Sequence, residues 1–128
     1  MAAHVLRTYA VFPPRTVEYV GGLPKYRLRR VVDYLASNLA EDNGLQQLAD
    51  LAEMSRFHFC RSFKQSTGLS PHQFLLHLRI NEAKRLLKST KLGIAEIANL
   101  LGFSEQSHFT MTFHKFIGTT PARWRISA

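Results

Sequence analysis

Apolar residues recur at spacings of three and four positions along nearly all of the chain after residue 23. This period is that of one face of an α-helix, and few stretches alternate apolar and polar residues for long enough to form a strand. The first apolar stripe predicts a helix of about four turns that begins at Pro24. Its members are Leu28, Val31, Val32, Leu35, Ala36 and Leu39. The pattern predicts an all-α fold.

Two further helices are predicted before residue 69. Ser55 is placed to cap the longer of them by accepting a backbone N–H, and Gly68 is expected to end it in the left-handed conformation. The shorter helix before it carries an apolar side made of Leu45, Leu48, Ala49 and Ala52.

A longer helix is predicted from Pro71 to Lys88, with Ser70 as its cap and Pro71 in the first turn, where a missing N–H costs nothing. Its apolar residues occupy more than one face: Phe74, Leu75, Leu78, Ile80, Ala83, Leu86 and Leu87. A helix that is buried on two sides suggests a bridge between two small cores.

The segment after this bridging helix repeats the design of the segment before it. Residues 68–71 (Gly-Leu-Ser-Pro) match residues 118–121 (Gly-Thr-Thr-Pro) at an offset of 50, whereas Ala49 matches Ala98 at an offset of 49. The second copy therefore has one extra residue in its turn. The aromatic residues Phe59, Phe63 and Phe74 likewise match Phe109, Phe113 and Trp124. The sequence thus predicts about seven helices in two repeated units.

The helix that contains Phe59 has two chemically different faces. Phe59 and Phe63 lie within about 40° of each other around the helix axis, which predicts that both are core residues. Phe57, Arg61 and Lys64 point to the opposite side. In the second copy Phe109 and Phe113 are inward by the same geometry, and the outward residues are Ser107, Thr110, Met111 and His114, with Gln106 near the edge.

The charge of the chain points to an anionic partner. It has 17 Lys and Arg against 9 Asp and Glu, a net charge of +8 and a pI near 10.2. Double-stranded DNA fits this charge and the polar outer faces of the two helices, because a helix fits the major groove and polar side chains read base edges there. The alternatives are a basic surface kept for solubility, attraction to anionic lipid, or a protein-interaction module that uses the basic first helix.

Several other classes of function are disfavoured. The chain has one cysteine, Cys60, so it has no internal disulfide and no Cys-x-x-Cys metal site. No two histidines stand at the helical spacing that sets two ligands on one face, and no Gly-rich phosphate loop is present. We expect neither an enzyme nor a cofactor. No apolar run is long enough to cross a bilayer, which favours a cytoplasmic protein with no membrane partner.

Five short patterns indicate a family. They are Leu-Ala-x-x-x-x-Met-Ser, Phe-x-Arg-x-Phe-Lys, Gly-x-Ser-Pro, Arg-Ile-x-x-Ala-x-x-Leu-Leu and Ile-Ala-x-x-x-Gly-Phe, and they occur in this order. From about Leu28 to Arg125 the chain closely resembles the DNA-binding domain of the AraC/XylS family of bacterial transcription regulators. The resemblance implies two helix-turn-helix subdomains joined by a bridging helix, with recognition helices at about 56–67 and 105–117 in adjacent major grooves.

The resemblance also implies which residues read bases. By position these are Phe57, Cys60 and Arg61 in the first recognition helix, and Gln106, Ser107 and Met111 in the second. Many members of the family have Arg where this chain has Met111, and a basic residue where it has His114. Discrimination by the second helix is therefore expected to rest on Gln106, Ser107 and His108, or on apolar contact with thymine methyl groups.

The most specific of these predictions is that Arg61 binds a guanine, because a bidentate contact from Arg to guanine is the commonest specific contact to a base. The alternative for Arg61 is a phosphate contact. Arg79 and Glu96 are expected to be structural, Arg79 through an acidic partner and Glu96 at the positive end of a short helix. Candidates for phosphate contacts are Arg29, Arg30, Lys64, Lys84, Arg85, Lys88, His114 and Lys115.

Residues 1–23 are predicted to precede the DNA-binding domain of residues 24–128. The stretch "VFPPRTVEYVGG" is rich in Pro and Gly, which is typical of an interdomain linker, and "AAHVLRTYA" before it is expected to form one or two helical turns. We interpret the chain as part of a longer regulator whose effector or dimerisation domain lies outside it; the alternative is a small stand-alone member. The resemblance implies an activator, with RNA polymerase as a candidate partner.

Overall fold

The computed structural model describes residues 22–41 and 44–127. These residues form seven helices and no strand, which confirms the predicted all-α fold. Most of the predicted linker at 1–23, including the proposed helical turns at its start, lies outside the described residues. The helices are α1 (Lys25–Ser37), α2 (Leu45–Leu51), α3 (Arg56–Thr67), α4 (Pro71–Ser89), α5 (Ile94–Leu100), α6 (Gln106–Ile117) and α7 (Pro121–Ile126).

The described residues divide into two compact units. Unit 1 contains residues 22–38 and 44–75, and unit 2 contains residues 39–41 and 76–127. Helices α1 to α3 and the start of α4 belong to unit 1, while the rest of α4 and α5 to α7 belong to unit 2. This division confirms the predicted architecture of two helix-turn-helix subdomains joined by a long helix.

The core of unit 1 is built around the phenylalanines of α3. Phe59 and Phe63 are fully buried, with ring centroids 5.5 Å apart, and the edge of Phe63 packs against Phe74 of α4 at 5.3 Å. The prediction that these rings are core residues is confirmed. Apolar side chains from the other helices are also buried in this unit: Val31, Val32, Leu35, Leu48, Ala49 and Ala52.

The residues on either side of α1 differ from the sequence prediction. Leu23, which we placed in the linker because it precedes the helical period, is fully buried, and its N–H donates to the Oγ of Ser66 at 2.8 Å. At the other end α1 stops at Ser37, so Leu39 does not continue its apolar stripe and belongs to unit 2. The Asn38 side chain closes the helix by donating to the carbonyl oxygen of Tyr34 at 2.8 Å.

The core of unit 2 repeats the aromatic design. Phe109 and Phe113 of α6 are fully buried. Their rings continue a series of contacts from Phe103 (5.3 Å to Phe109) to Trp124 (6.3 Å from Phe113). Aliphatic side chains of α4 and α5 complete this core: Ile80, Ala83, Leu87, Ile97, Ala98 and Leu101.

The boundaries of α3 and the start of α4 follow the predicted capping residues. Ser55 accepts the backbone N–H of the residue three positions on at 3.3 Å, and Ser70 does the same at 3.2 Å. Gly68 and Gly118 end α3 and α6 with φ of 83° and 91°, which are left-handed values. Thr120 then caps α7. Left-handed glycines therefore fix where α3 and α6 end, and a Ser or Thr side chain caps the start of α3, α4 and α7.

Candidate nucleic-acid interface

Helix α3 presents one continuous solvent face. Its buried half carries Phe59 and Phe63, so the rotation of the helix about its own axis is fixed by the core of unit 1. The outer half combines cationic, aromatic and amide side chains, all exposed: Arg56, Phe57, His58, Arg61, Lys64 and Gln65. Side chains of these types are the ones that contact base edges and phosphates in protein–DNA complexes.

Phe57 and Arg61 form a pair at the centre of this face. The Cζ atom of Arg61 lies 5.8 Å from the centroid of the Phe57 ring, within the range of a cation–π interaction. The two residues are one helical turn apart, and 73% of Phe57 is exposed. An exposed ring at this position leaves an apolar surface beside a guanidinium group.

Cys60 lies at the margin of the same face. It is half-buried, because its position is about 60° around the helix from Phe57 and toward the core side. Of the three residues assigned to base reading in this helix, it is the least exposed.

Helix α6 presents the corresponding face in unit 2. It begins at Gln106, one residue later than predicted, since Glu105 has extended backbone angles and stands at the N-cap. Met111, which has the same position in α6 as Arg61 has in α3, is 68% exposed. The other exposed side chains of the face are Gln106, Ser107, His108, His114 and Lys115.

Two predicted base readers of α6 contact neighbouring residues of unit 2. The Oγ of Ser107 donates to the Oε1 of Glu105 at 3.4 Å, and the ring of His108 packs edge-on against Phe103 at 5.3 Å. The α6 face has one Lys and two histidines, whereas the α3 face has two Arg, one Lys and one histidine. The two faces therefore differ in both charge and donor chemistry.

Several predicted phosphate-contacting residues have partners on the protein surface. Arg29 pairs with Asp33 at 3.8 Å. Arg85 contacts Glu82 at 2.5 Å, and this hydrogen bond raises the pKa of the Arg85 guanidinium. These cations would have to share or exchange their carboxylates in order to bind a phosphate.

Lys84 and Lys88 contact the C-terminal helix of unit 2. Their Nζ atoms lie 5.4 Å and 5.1 Å from the Trp124 ring, and Lys88 also donates to the carbonyl oxygen of Ser127. Lys64, His114 and Lys115 are exposed on the outer faces of the recognition helices.

Arg79 and Glu96 both have structural roles, and hydrogen bonds to backbone carbonyl oxygens hold Arg79, for which an acidic partner was predicted. Arg79 is only 8% exposed, and its guanidinium donates to the carbonyl oxygens of Leu39 at 2.8 Å and Glu41 at 3.3 Å. Its Cζ atom also lies 5.5 Å from the Phe103 ring. Glu96 accepts the backbone N–H of Gly93 at 2.9 Å and thereby closes the start of α5.

A cluster around the turn of unit 1 was not predicted. Glu53, in the turn between α2 and α3, pairs with Arg27 at 3.3 Å and with Arg30 at 3.5 Å. Arg30 also donates to the carbonyl oxygen of Leu51 at 3.1 Å. Arg30 was assigned to phosphate contact, and these distances give it a second role in anchoring the turn to α1. Tyr26, 59% exposed, lies within 6.0 Å of both arginines.

A histidine lies beneath the second recognition helix. The ring of His77 in α4 stacks on Phe116 of α6 at 4.5 Å, with 21° between the ring planes. Burial lowers the pKa of His77 below its ordinary value. The neutral form of the ring is therefore the one that the fold favours.

Within residues 22–41 and 44–127, no group of three His, Cys, Asp or Glu side chains is placed to hold a metal ion. None of the helices in the same residues is both long and apolar enough to cross a membrane.

Comparison with known proteins identifies the family. A family model described as a helix-turn-helix domain matches residues 48–127. An AraC-type DNA-binding domain from Chromobacterium violaceum has the same fold, with a TM-score of 0.75 and 32% identity over 79% of this chain and 90% of that one. The chain belongs to the AraC family. It is a DNA-binding domain of a family of transcription regulators.

Two further relatives extend the comparison. The DNA-binding domain of the transcription factor AdpA, solved with a target DNA, is 33% identical with a TM-score of 0.73, over 77% of this chain and 89% of that one. AdaA of Bacillus subtilis, named a bifunctional transcriptional activator and DNA repair enzyme, is 33% identical over 95 residues, 74% of this chain and 45% of AdaA. The chain spans less than half the length of the curated relatives it matches.

Proposed function

We propose that this AraC-family domain binds double-stranded DNA sequence-specifically and activates transcription. The observation that carries the proposal is the repeated design of α3 and α6. Each helix buries two phenylalanines and turns a polar or basic face to solvent. A helix presented in this way fits the major groove, where each base pair has a distinct pattern of donors, acceptors and methyl groups.

In this proposal α3 provides the stronger base recognition. Arg61 is exposed at the centre of the α3 face and can donate two hydrogen bonds to O6 and N7 of a guanine. Phe57 and Cys60 lie beside it. On α6 the corresponding readers are Gln106, Ser107, His108 and Met111, a set that includes no Arg or Lys.

The cations around the two helices are proposed to hold the DNA backbone. Lys64, His114 and Lys115 contribute most directly, because they are exposed on the recognition helices themselves. A second group would contact phosphates only by sharing or leaving its present protein partners: Arg29, Arg30, Lys84, Arg85 and Lys88.

The test is selection of bound duplexes from a randomised pool at near-physiological salt, carried out with the wild type, with Arg61→Ala and with Met111→Ala. We expect a consensus of two blocks, one for each helix. Arg61→Ala should lose the guanine preference in one block, with a cost of about 1–3 kcal/mol, and Met111→Ala should affect only the other block.

The rival proposal is a non-specific basic module. It predicts no consensus, and an affinity that depends only on salt concentration and on the number of cations. If competition between selected and scrambled duplexes gives equal binding, sequence-specific recognition is excluded. Activation is tested separately, by transcription in vitro with RNA polymerase from a promoter that carries the selected site; an unchanged or lowered yield would contradict it.

A further inference from the structure

We propose that the Phe57–Arg61 pair recognises a 5-methylpyrimidine next to a guanine, so that binding distinguishes 5-methylcytosine from cytosine as it distinguishes thymine from uracil. This inference rests on the proposed function, because it requires α3 to read bases. It adds a chemical group, the C5 methyl of a pyrimidine, and assigns Phe57 as the residue that detects it.

The first step of the argument is the exposure of Phe57. Of the four phenylalanines in the described part of unit 1, Phe59, Phe63 and Phe74 are almost completely buried, whereas Phe57 is 73% exposed. Its ring therefore contributes little to the core. Removing such a surface from water on binding is favourable, provided that the surface it meets is also apolar.

The second step is the distance to Arg61. The guanidinium Cζ lies 5.8 Å from the ring centroid. Successive bases on one strand are about 3.4 Å apart along the helix axis. When Arg61 binds the O6 and N7 atoms of a guanine, the ring consequently lies beside a neighbouring base, and not beside the guanine itself.

The third step is the chemistry of the groove. A phenyl ring has no hydrogen-bond donor or acceptor for an amino or keto group, and covering such a group without a partner is costly. The C5 methyl of thymine is the apolar group that the major groove of unmodified DNA offers. A methyl group on C5 of cytosine occupies the equivalent position on the pyrimidine ring, so the same contact would accept it.

Helix α6 supplies the internal comparison. Ser107 and Met111 occupy the positions of Phe57 and Arg61, so α6 has neither the ring nor the guanidinium of the pair. The methyl preference that the proposal assigns to Phe57 is therefore expected only at the base pairs next to the guanine that Arg61 binds.

The experiment measures the affinity of the chain for duplexes that differ by one methyl group. One pair of duplexes has thymine or uracil next to the guanine of the α3 block, and a second pair has 5-methylcytosine or cytosine at the same position. Both pairs are made twice, once for each side of the guanine. Fluorescence anisotropy at fixed salt gives the dissociation constants. For the wild type we expect each methyl group to lower the dissociation constant about fourfold on one side of the guanine. This factor corresponds to the free energy of burying one methyl-sized group.

Phe57→Ala should reduce both methyl effects to near unity while keeping the guanine preference. Leu100→Ala, which removes an exposed apolar side chain of α5 outside both recognition helices, should leave the methyl effects unchanged. Because Phe57 is exposed, circular dichroism should show both variants to be folded. If guanine preference depends on Arg61 but the methyl effects are absent, or persist in Phe57→Ala, this inference is wrong and the proposed function stands. If no duplex is preferred and Arg61→Ala changes nothing, the proposed function fails, and the inference fails with it.

Discussion

Glu53 and Gly102 occupy the same position in the two repeats, in the turn that leads to each recognition helix. Both have left-handed backbone angles, with φ of 61° and 93°. In both turns the N–H of the following residue donates to the carbonyl of the matched alanine, Ala49 or Ala98, at 3.0 Å. The turn thus requires the same conformation in each copy, but only the second copy uses glycine for it.

Gly102 should not tolerate a side chain. A Cβ there would lie 2.7 Å from Nη2 of Arg79 and 2.9 Å from the carbonyl oxygen of Ala40, in addition to the unfavourable φ. We expect Gly102→Ala to lower the free energy of unfolding by at least about 1–3 kcal/mol, measured by urea denaturation. Equal stability of the variant and the wild type would contradict this account.

Glu53→Gly is the matched control in the first repeat. Glycine relieves the left-handed strain, but the variant loses the solvent-accessible ion pairs of Glu53 with Arg27, which is half-buried, and Arg30. Exposed pairs contribute about 0–1 kcal/mol each, so the net change should stay within about 1 kcal/mol in either direction. A loss as large as that expected for Gly102→Ala would mean that the Glu53 cluster stabilises the turn more than exposed ion pairs do.

Arg79 should be required for the stability of unit 2. Replacing it by Met removes the donors to the carbonyl oxygens of Leu39 and Glu41 and leaves those groups without this partner. The expected loss is about 1–3 kcal/mol. The chain has a single tryptophan, Trp124 in unit 2, so its fluorescence follows this transition directly.

Arg85→Met on the same helix is the control for the loss of a positive charge. Arg85 contacts Glu82 at an exposed site, so this variant should lose no more than about 1 kcal/mol. If the two variants lost the same stability, burial of the Arg79 guanidinium would not be the cause.

The repeated aromatic pattern predicted most of the fold, since Phe59, Phe63, Phe109 and Phe113 recur at helical spacing. Recognisable capping residues also marked both ends of α3 and the start of α4. Two features had no such signal. Leu23 precedes the first helical period, so its burial depends on a tertiary contact with Ser66. Glu53 adopts a conformation that favours glycine, and only its alignment with Gly102 reveals it.

The candidate site was less predictable than the fold. The helical period placed Phe57 and Arg61 on one face, but their separation depends on side-chain rotamers that a sequence pattern does not specify. The same holds for Arg30 and Lys88. Their charge suggested phosphate contacts, whereas their partners are Glu53 in one case and Trp124 in the other.

The stability of unit 2 should depend on pH through His77. Burial lowers its pKa in the folded state, so between that pKa and the ordinary value of about 6.5 the unfolded state binds more protons. The contribution of neutral His77 to the free energy of unfolding is therefore fully present above about pH 6.5, and it is lost as the pH falls through the pKa of His77 in the folded state. The free energy of unfolding, measured from pH 7.5 to 5 by denaturation, should decrease over this window in the wild type.

His77→Phe should flatten this dependence, because a phenyl ring can stack on Phe116 without taking up a proton. The exposed His72 at the start of α4 provides the control, and His72→Gln should retain the wild-type profile. An identical slope in His77→Phe and the wild type would assign the pH dependence to other groups.

Lys64 and Lys88 should differ in how they contribute to DNA affinity. Lys64 is exposed on the outer face of α3, whereas the ammonium of Lys88 lies over Trp124 and donates to Ser127. A phosphate contact releases counterions, so Lys64→Ala should reduce the slope of log K against log salt by about 1 without changing the consensus.

Lys88→Ala should change this slope less than Lys64→Ala does, because Lys88 would have to give up its contacts in unit 2 in order to bind a phosphate. Loss of its cation–π contact should instead lower the free energy of unfolding by about 0.5–1 kcal/mol. Equal reductions of the slope in the two variants would show that Lys88 leaves Trp124 when DNA binds.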